Sequence, residues 1–210
     1  LEALLFGTAG FLSGNYKDEY PNNLKKEFGF LQHKFNIKPI AAETWKFLRL
    51  RPVNFPTIRI AQFAKLIYQS KHLFSKILEC NNVKEIESLL NTEVSEYWAE
   101  HYLFDTKSHK KISKRIGKAT IHNIIINTVV PILFLYGKQK NNESYQERAL
   151  RFFEKIPAEK NHITRCWETA GVKPKSAFDS QGLIQLHNEY CVRKKCLDCG
   201  IGKKILCCEK

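Results

Sequence analysis

The sequence predicts an all-α protein. No stretch sustains the alternation of a half-buried strand, apolar residues recur at helical spacing, and prolines, glycines and short polar residues fall where helices start and stop. The 210 residues suit a single multi-helix domain, or two helical subdomains, closed by a short cysteine-containing segment. We place the helical domain at 1–190 and a basic, cysteine-rich segment packed on it at 191–210. With 43% hydrophobic and 12% aromatic residues, the chain can build a core and is not disordered.

The elements follow in order. Leu1–Gly7 reads like the middle of an amphipathic helix, and the chain has no methionine, so we expect it to be the C-terminal part of a longer one. Pro21 suits the first turn of a helix reaching Phe35, with Leu24, Phe28, Leu31 and Phe35 on one face. A short helix is expected over Glu43–Leu50. Arg51-Pro52 then forces extended backbone, because a residue before proline avoids the α region. Pro56 opens the next helix, with Ile60, Ala64 and Ile67 inward and Arg59, Gln62 and Lys65 toward solvent.

Glu96–Tyr102 reads as a dense aromatic helical layer holding a satisfied histidine. Ser108–Gly117 is a basic linker or short helix, with Gly117 as a helix stop. Ile124–Gly137 is apolar for 14 residues but interrupted by Asn127, Thr128 and Pro131. That is too short for a membrane span and predicts a kinked core helix. Helices follow over Glu143–Lys155 and Asn161–Ala170, the latter ended by Gly171. Ser176 to Asp179 has the form of a capping box ahead of a helix reaching Tyr190.

Charge narrows the function classes. A net charge of +13 favours an acidic partner, DNA or RNA first. The charge is also segregated. Thr44–Leu78 has seven basic residues and no acid, and Thr106–Asn142 has eight and no acid. Between them lie Glu85, Glu87, Glu93, Glu96, Glu100 and Asp105. Segregation of this kind marks an anion-facing side. Arg49, Arg51 and Arg59 can each fork onto phosphate oxygens, Asn54 adds a neutral donor, and Pro52 and Pro56 stiffen the loop. Trp45, Phe47 and Phe55 are near enough to stack on exposed bases. Lys110, Lys111, Lys114 and Arg115 supply a second cationic patch. Internal pairing of these arginines with carboxylates stays open, and so does docking on an acidic protein surface.

Cys191-x4-Cys196-x2-Cys199 places three thiols within nine residues, a spacing that suits zinc or an iron–sulfur cluster. It coincides with the first three ligands of plant-type ferredoxins, without their β-rich context. A fourth ligand would come from Cys207, Cys208, His187, Cys80 or Cys166; ordinary reduced thiols are the alternative. Arg193, Lys194 and Lys195 favour the thiolate forms. Gly200–Lys204 lacks the phosphate-loop pattern and reads as a connecting turn. Metalloprotease, serine hydrolase, dinucleotide and kinase patterns are absent, so no catalytic centre is expected within these residues. His101 with Glu100, Glu159 or Asp179 would make an acid–base pair only if the fold joined them. Seven cysteines with no leader pattern in 1–12 point to the reducing cytoplasm.

Several stretches carry a family resemblance: Leu4-Leu-Phe-Gly-Thr-Ala-Gly10, the whole of Trp45–Ala61, Ile126-Asn-Thr-Val-Val-Pro131, Pro157-Ala-Glu-Lys-Asn161, Asp179-Ser-Gln181 and Tyr190–Cys199. Together they resemble the bacterial domain-of-unknown-function family 2851. The resemblance implies chains about twice this length, whose N-terminal half looks like a restriction-endonuclease-type nuclease core. It implies that this part binds or positions, and that its own N-terminal region is among its partners.

Overall fold

The computed structural model describes residues 1–206 and divides the chain into two compact units. The first comprises Leu1–Glu79 and Ile86–Ile121; the second comprises Cys80–Glu85 and the chain from His122 onward. The protein is all-α, as its sequence predicts, apart from one small hairpin.

The first unit begins with α1 (Glu2–Thr8), packed against α2 (Glu19–Phe35). Left-handed Asn36 (φ 50°) ends α2, where an Asn side chain tolerates that conformation. The helix expected over Glu43–Leu50 is absent. Only a 3-10 turn forms, at Ala42–Thr44, because Arg49 turns left-handed (φ 65°) and Pro52 holds Arg51 extended (ψ 141°). A second such turn, Pro52–Asn54, leads into α3 (Pro56–Ser70), which Pro56 opens as expected.

The inward face of α3 differs from the expected one. Thr57, Ile58, Ala61, Gln62, Ala64 and Leu66 are buried, whereas Phe63 and Ile67 are exposed. Gln62 tolerates burial because its amide donates to the Lys114 carbonyl at 3.1 Å and accepts from Arg59 at 2.9 Å.

Helices α4 (Leu73–Glu79) and α5 (Val83–Leu90) follow, then α6 (Glu96–Glu100). The aromatic segment leaves the helical path at His101, where β1 (His101–Leu103) pairs antiparallel with β2 (Thr106–Lys107) around left-handed Asp105. Trp98 is fully buried and stacks on Phe6 at 5.2 Å, within a core of Ala3, Leu24, Phe28, Ile58 and Ala61. The expectation of an aromatic core layer with a satisfied histidine holds. His101 Nδ1 lies 2.8 Å from the Tyr97 carbonyl, and Nε2 lies 3.5 Å from Asp18. Residues 108–117 form no helix, and Gly117 starts one rather than stopping it: its carbonyl accepts from Ile121 N–H at 3.0 Å.

The helix expected around Ile124–Gly137 is longer than the apolar run. α7 (Lys118–Ile124), a π-helical turn (Ile125–Val129) and α8 (Val130–Gln139) form 22 continuous residues, with a mean hydropathy of 1.6 over an 18-residue window. By length and composition alone that helix is sufficient to cross a membrane. The π turn ends two residues before Pro131, whose missing N–H cannot continue the α ladder.

In the second unit α8 packs along α9 (Glu143–Lys155), burying Leu133, Ala149 and Phe152. Asn161 caps α10 (His162–Thr169), and Gly171 (φ 88°) follows its end. Ser176 and Asp179 form the expected capping box on α11 (Ala177–Leu186), which runs into a π turn over His187–Cys191. Two separated motifs meet here. Ala177 N–H donates to the Ile156 carbonyl at 2.8 Å, Glu159 N–H to Ser180 Oγ at 3.2 Å, and Gln181 to the Glu159 carboxylate. The last described element is α12 (Gly200–Leu206).

Candidate nucleic-acid interface

The arginine loop is fastened from below. Gly10 (φ 79°) lies so close to residue 40 that a β-carbon there would sit 2.1 Å from the Ile40 carbonyl oxygen. Ile40 N–H donates to the Thr8 carbonyl at 2.9 Å, and the Trp45 indole N–H to the Ala9 carbonyl at 2.8 Å. Phe47 packs edge-on to Phe11 and Phe55, with centroids 6.0 and 5.1 Å apart. Phe47 and Phe55 are thus engaged in the fold, and Trp45 is half-buried.

On this footing Arg49 and Arg51 are exposed, and neither has a carboxylate within ion-pair reach among the described residues. Arg49 keeps a left-handed backbone, which costs a non-glycine residue about 1–2 kcal/mol. Arg59 is half-buried. Its guanidinium donates to Asn54 Oδ1 at 2.6 Å, Gln62 Oε1 at 2.9 Å and Thr120 Oγ1 at 3.3 Å. All three acceptors are neutral, and burial lowers the pKa of Arg59. Asn54 therefore holds Arg59 through its oxygen, a role beyond the donor role expected of it. Gln62 and Thr120 are partners of Arg59 that the sequence did not mark.

The second cationic patch is differently placed. Four ion pairs join the intervening acids to it: Glu100 with Lys107 at 2.9 Å, Glu96 with Lys111 at 3.2 Å, Glu93 with Arg115 at 3.1 Å and Glu87 with Lys118 at 3.6 Å. Hydrogen bonds from Ser113 and Arg115 hold the Glu93 carboxyl below the usual carboxylate range, and Lys107 does the same for Glu100. Lys114 is a correction: it is buried, its ammonium donating to the Trp98 and Ala99 carbonyls 4.0 Å from the Tyr102 ring centroid. Of the four expected contacts there, only Lys110 is exposed without an ion-pair partner among the described residues.

Beside the loop lies an open cleft of about 480 Å³, between α1, the loop and α3. Leu5, Ala9, Ile40, Trp45, Ile60 and Phe63 make its walls apolar, and among the described residues Arg59 is the only charged one lining it.

The cysteines do not assemble. Cys191 and Cys196 are exposed, Cys199 is buried, and no three His, Cys, Asp or Glu side chains among the described residues are grouped to hold a metal. Cys80 is buried, Cys166 has His162 at 3.7 Å, and His187 faces Asn188. Cys207 and Cys208 lie outside the described residues. Among the described residues the arrangement does not fit a zinc or iron–sulfur site. Each acid–base candidate is engaged within its own unit: His101 faces Asp18, Glu159 takes the Gln181 amide, and Asp179 caps α11.

What these features define is a basic helical protein whose Arg49 and Arg51 face solvent with no ion-pair partner among the described residues. A family model described as Protein of unknown function (DUF2851) matches residues 1–162, and the chain belongs to that family. The stretches Asp179–Gln181 and Tyr190–Cys199 fall beyond the match. No curated protein and no solved structure matches the chain.

Proposed function

We propose that the first unit binds nucleic acid through Arg49, Arg51 and Arg59, with Lys110 as an outlying contact. One contrast carries the reading. Four of the six acids that separate the two basic runs pair with the second run, while the arginines of the first have no carboxylate partner among the described residues. A half-buried guanidinium held only by neutral acceptors keeps its full charge for an incoming anion.

The test is affinity for single- and double-stranded oligonucleotides across about 50–200 mM salt. Binding should weaken steeply with salt, and the Arg49→Ala/Arg51→Ala pair should flatten the log–log slope by about one unit per arginine. Affinity that ignores salt, or none at low salt, removes the proposal. A second reading, docking on an acidic protein surface, draws on Leu48, Leu50 and Val53, all exposed beside the arginines and Leu48 at 84%. Absence of oligonucleotide binding by a folded protein would favour it.

A further inference from the structure

The cleft next to the loop has a composition that phosphate binding alone does not use. A strand backbone needs cations on an open surface, whereas this space is walled by Trp45, Phe63, Ile60 and Leu5. Its volume, about 480 Å³, falls within the range of sites that enclose small organic groups. The Trp45 ring is fixed by its N–H bond to Ala9, so its orientation is set before anything binds. Phe63 stands 51% exposed, a large apolar face without cover. Arg59, Asn54 and Thr8 supply the polar part of the lining, and Arg59 has no counter-charge among the described residues. The occupant therefore needs a flat or apolar body and one anionic group.

We propose that this cleft takes one unstacked base of a single-stranded nucleic acid, with Arg59 pairing to that nucleotide's phosphate. The inference rests on the phosphate-binding reading above. Arg49 and Arg51 favour a nucleotide within a strand over a lone carboxylate, because they offer further cations along the same loop. A base inside a duplex is stacked and paired, so the cleft selects single strands, ends or extruded bases.

The test compares a single-stranded oligonucleotide of about 12 nucleotides with an abasic strand carrying the same number of phosphates. The parent protein should prefer the base-bearing strand about 5- to 150-fold, the range of one stacked base. Ile60→Trp, which fills the cleft, and Phe63→Ala, which removes an exposed wall, should both erase that preference. Affinity for the abasic strand should stay unchanged. If Ile60→Trp fails to fold, Phe63→Ala decides, since its side chain is half in solvent.

Equal affinity of the parent for both strands overturns the base site and leaves the phosphate reading standing. Binding of neither strand at low salt removes both. In that case quenching of Trp45 fluorescence by 1-naphthoate, absent in Trp45→Phe, would assign the cleft to small aromatic carboxylates instead.

Discussion

Arg59 and Lys114 show how two cations of similar sequence context come to opposite uses. Both are drawn partly out of water, and burial lowers the pKa of each. Lys114 spends its donors on two backbone carbonyls and rests over Tyr102, so its charge is satisfied internally. Arg59 meets only side-chain amide and hydroxyl oxygens and stays charged toward the cleft. Replacing Lys114 by Ala leaves the Trp98 and Ala99 carbonyls without that donor. It should cost about 1–3 kcal/mol of stability in a denaturant titration, with nucleic-acid affinity of the folded protein unchanged. A loss of affinity without a loss of stability would return Lys114 to the interface. Sequence spacing cannot separate the two, because burial of Lys114 depends on the hairpin that lies between α6 and the basic run.

At the scale of elements, capping and proline signals were legible and amphipathic faces less so. Pro56, Asn161, Gly171 and the Ser176–Asp179 box all stand at helix ends as expected, since each acts within a few residues of itself. The Glu43–Leu50 helix failed because a left-handed arginine and an X-Pro pair outweighed its apolar spacing. The α3 face differs from the expected one because Gln62 finds a buried partner in distant sequence, the Lys114 carbonyl, beside the neighbouring Arg59.

The α11 cap gives a pH prediction. Asp179 accepts from Lys175 N–H at 2.9 Å and Ser176 N–H at 3.1 Å, which holds its carboxyl below the usual carboxylate range. The unfolded chain therefore binds more protons near that range, and the stability is present above the unfolded value of about 3.9. It is lost as pH falls through the depressed folded value. Thermal unfolding should show Asp179→Asn less stable than the parent at neutral pH, with the gap closing in acid. An equal gap at both extremes would show that the charge plays no part.

For the whole molecule, the helical class was readable because periodicity is local, and the division of 1–121 around Cys80–Glu85 was not, because it depends on which distant segments meet. The cysteine motif illustrates the same limit: among the described residues, thiols close in sequence are not grouped with two further donors in space. Elemental analysis of protein purified without oxygen should find less than one zinc or iron per chain, and a stoichiometric metal would contradict the arrangement.

Charge segregation had the largest consequence. Each ion pair of the second basic run encloses the one before it, from Glu100–Lys107 outward to Glu87–Lys118, so the acids and bases close like a zipper around the hairpin. Once the innermost pair has met, every further tooth adds only a short loop, and loop entropy rises slowly with length. This stretch can therefore assemble on contacts of short sequence separation, without waiting for either end of the chain.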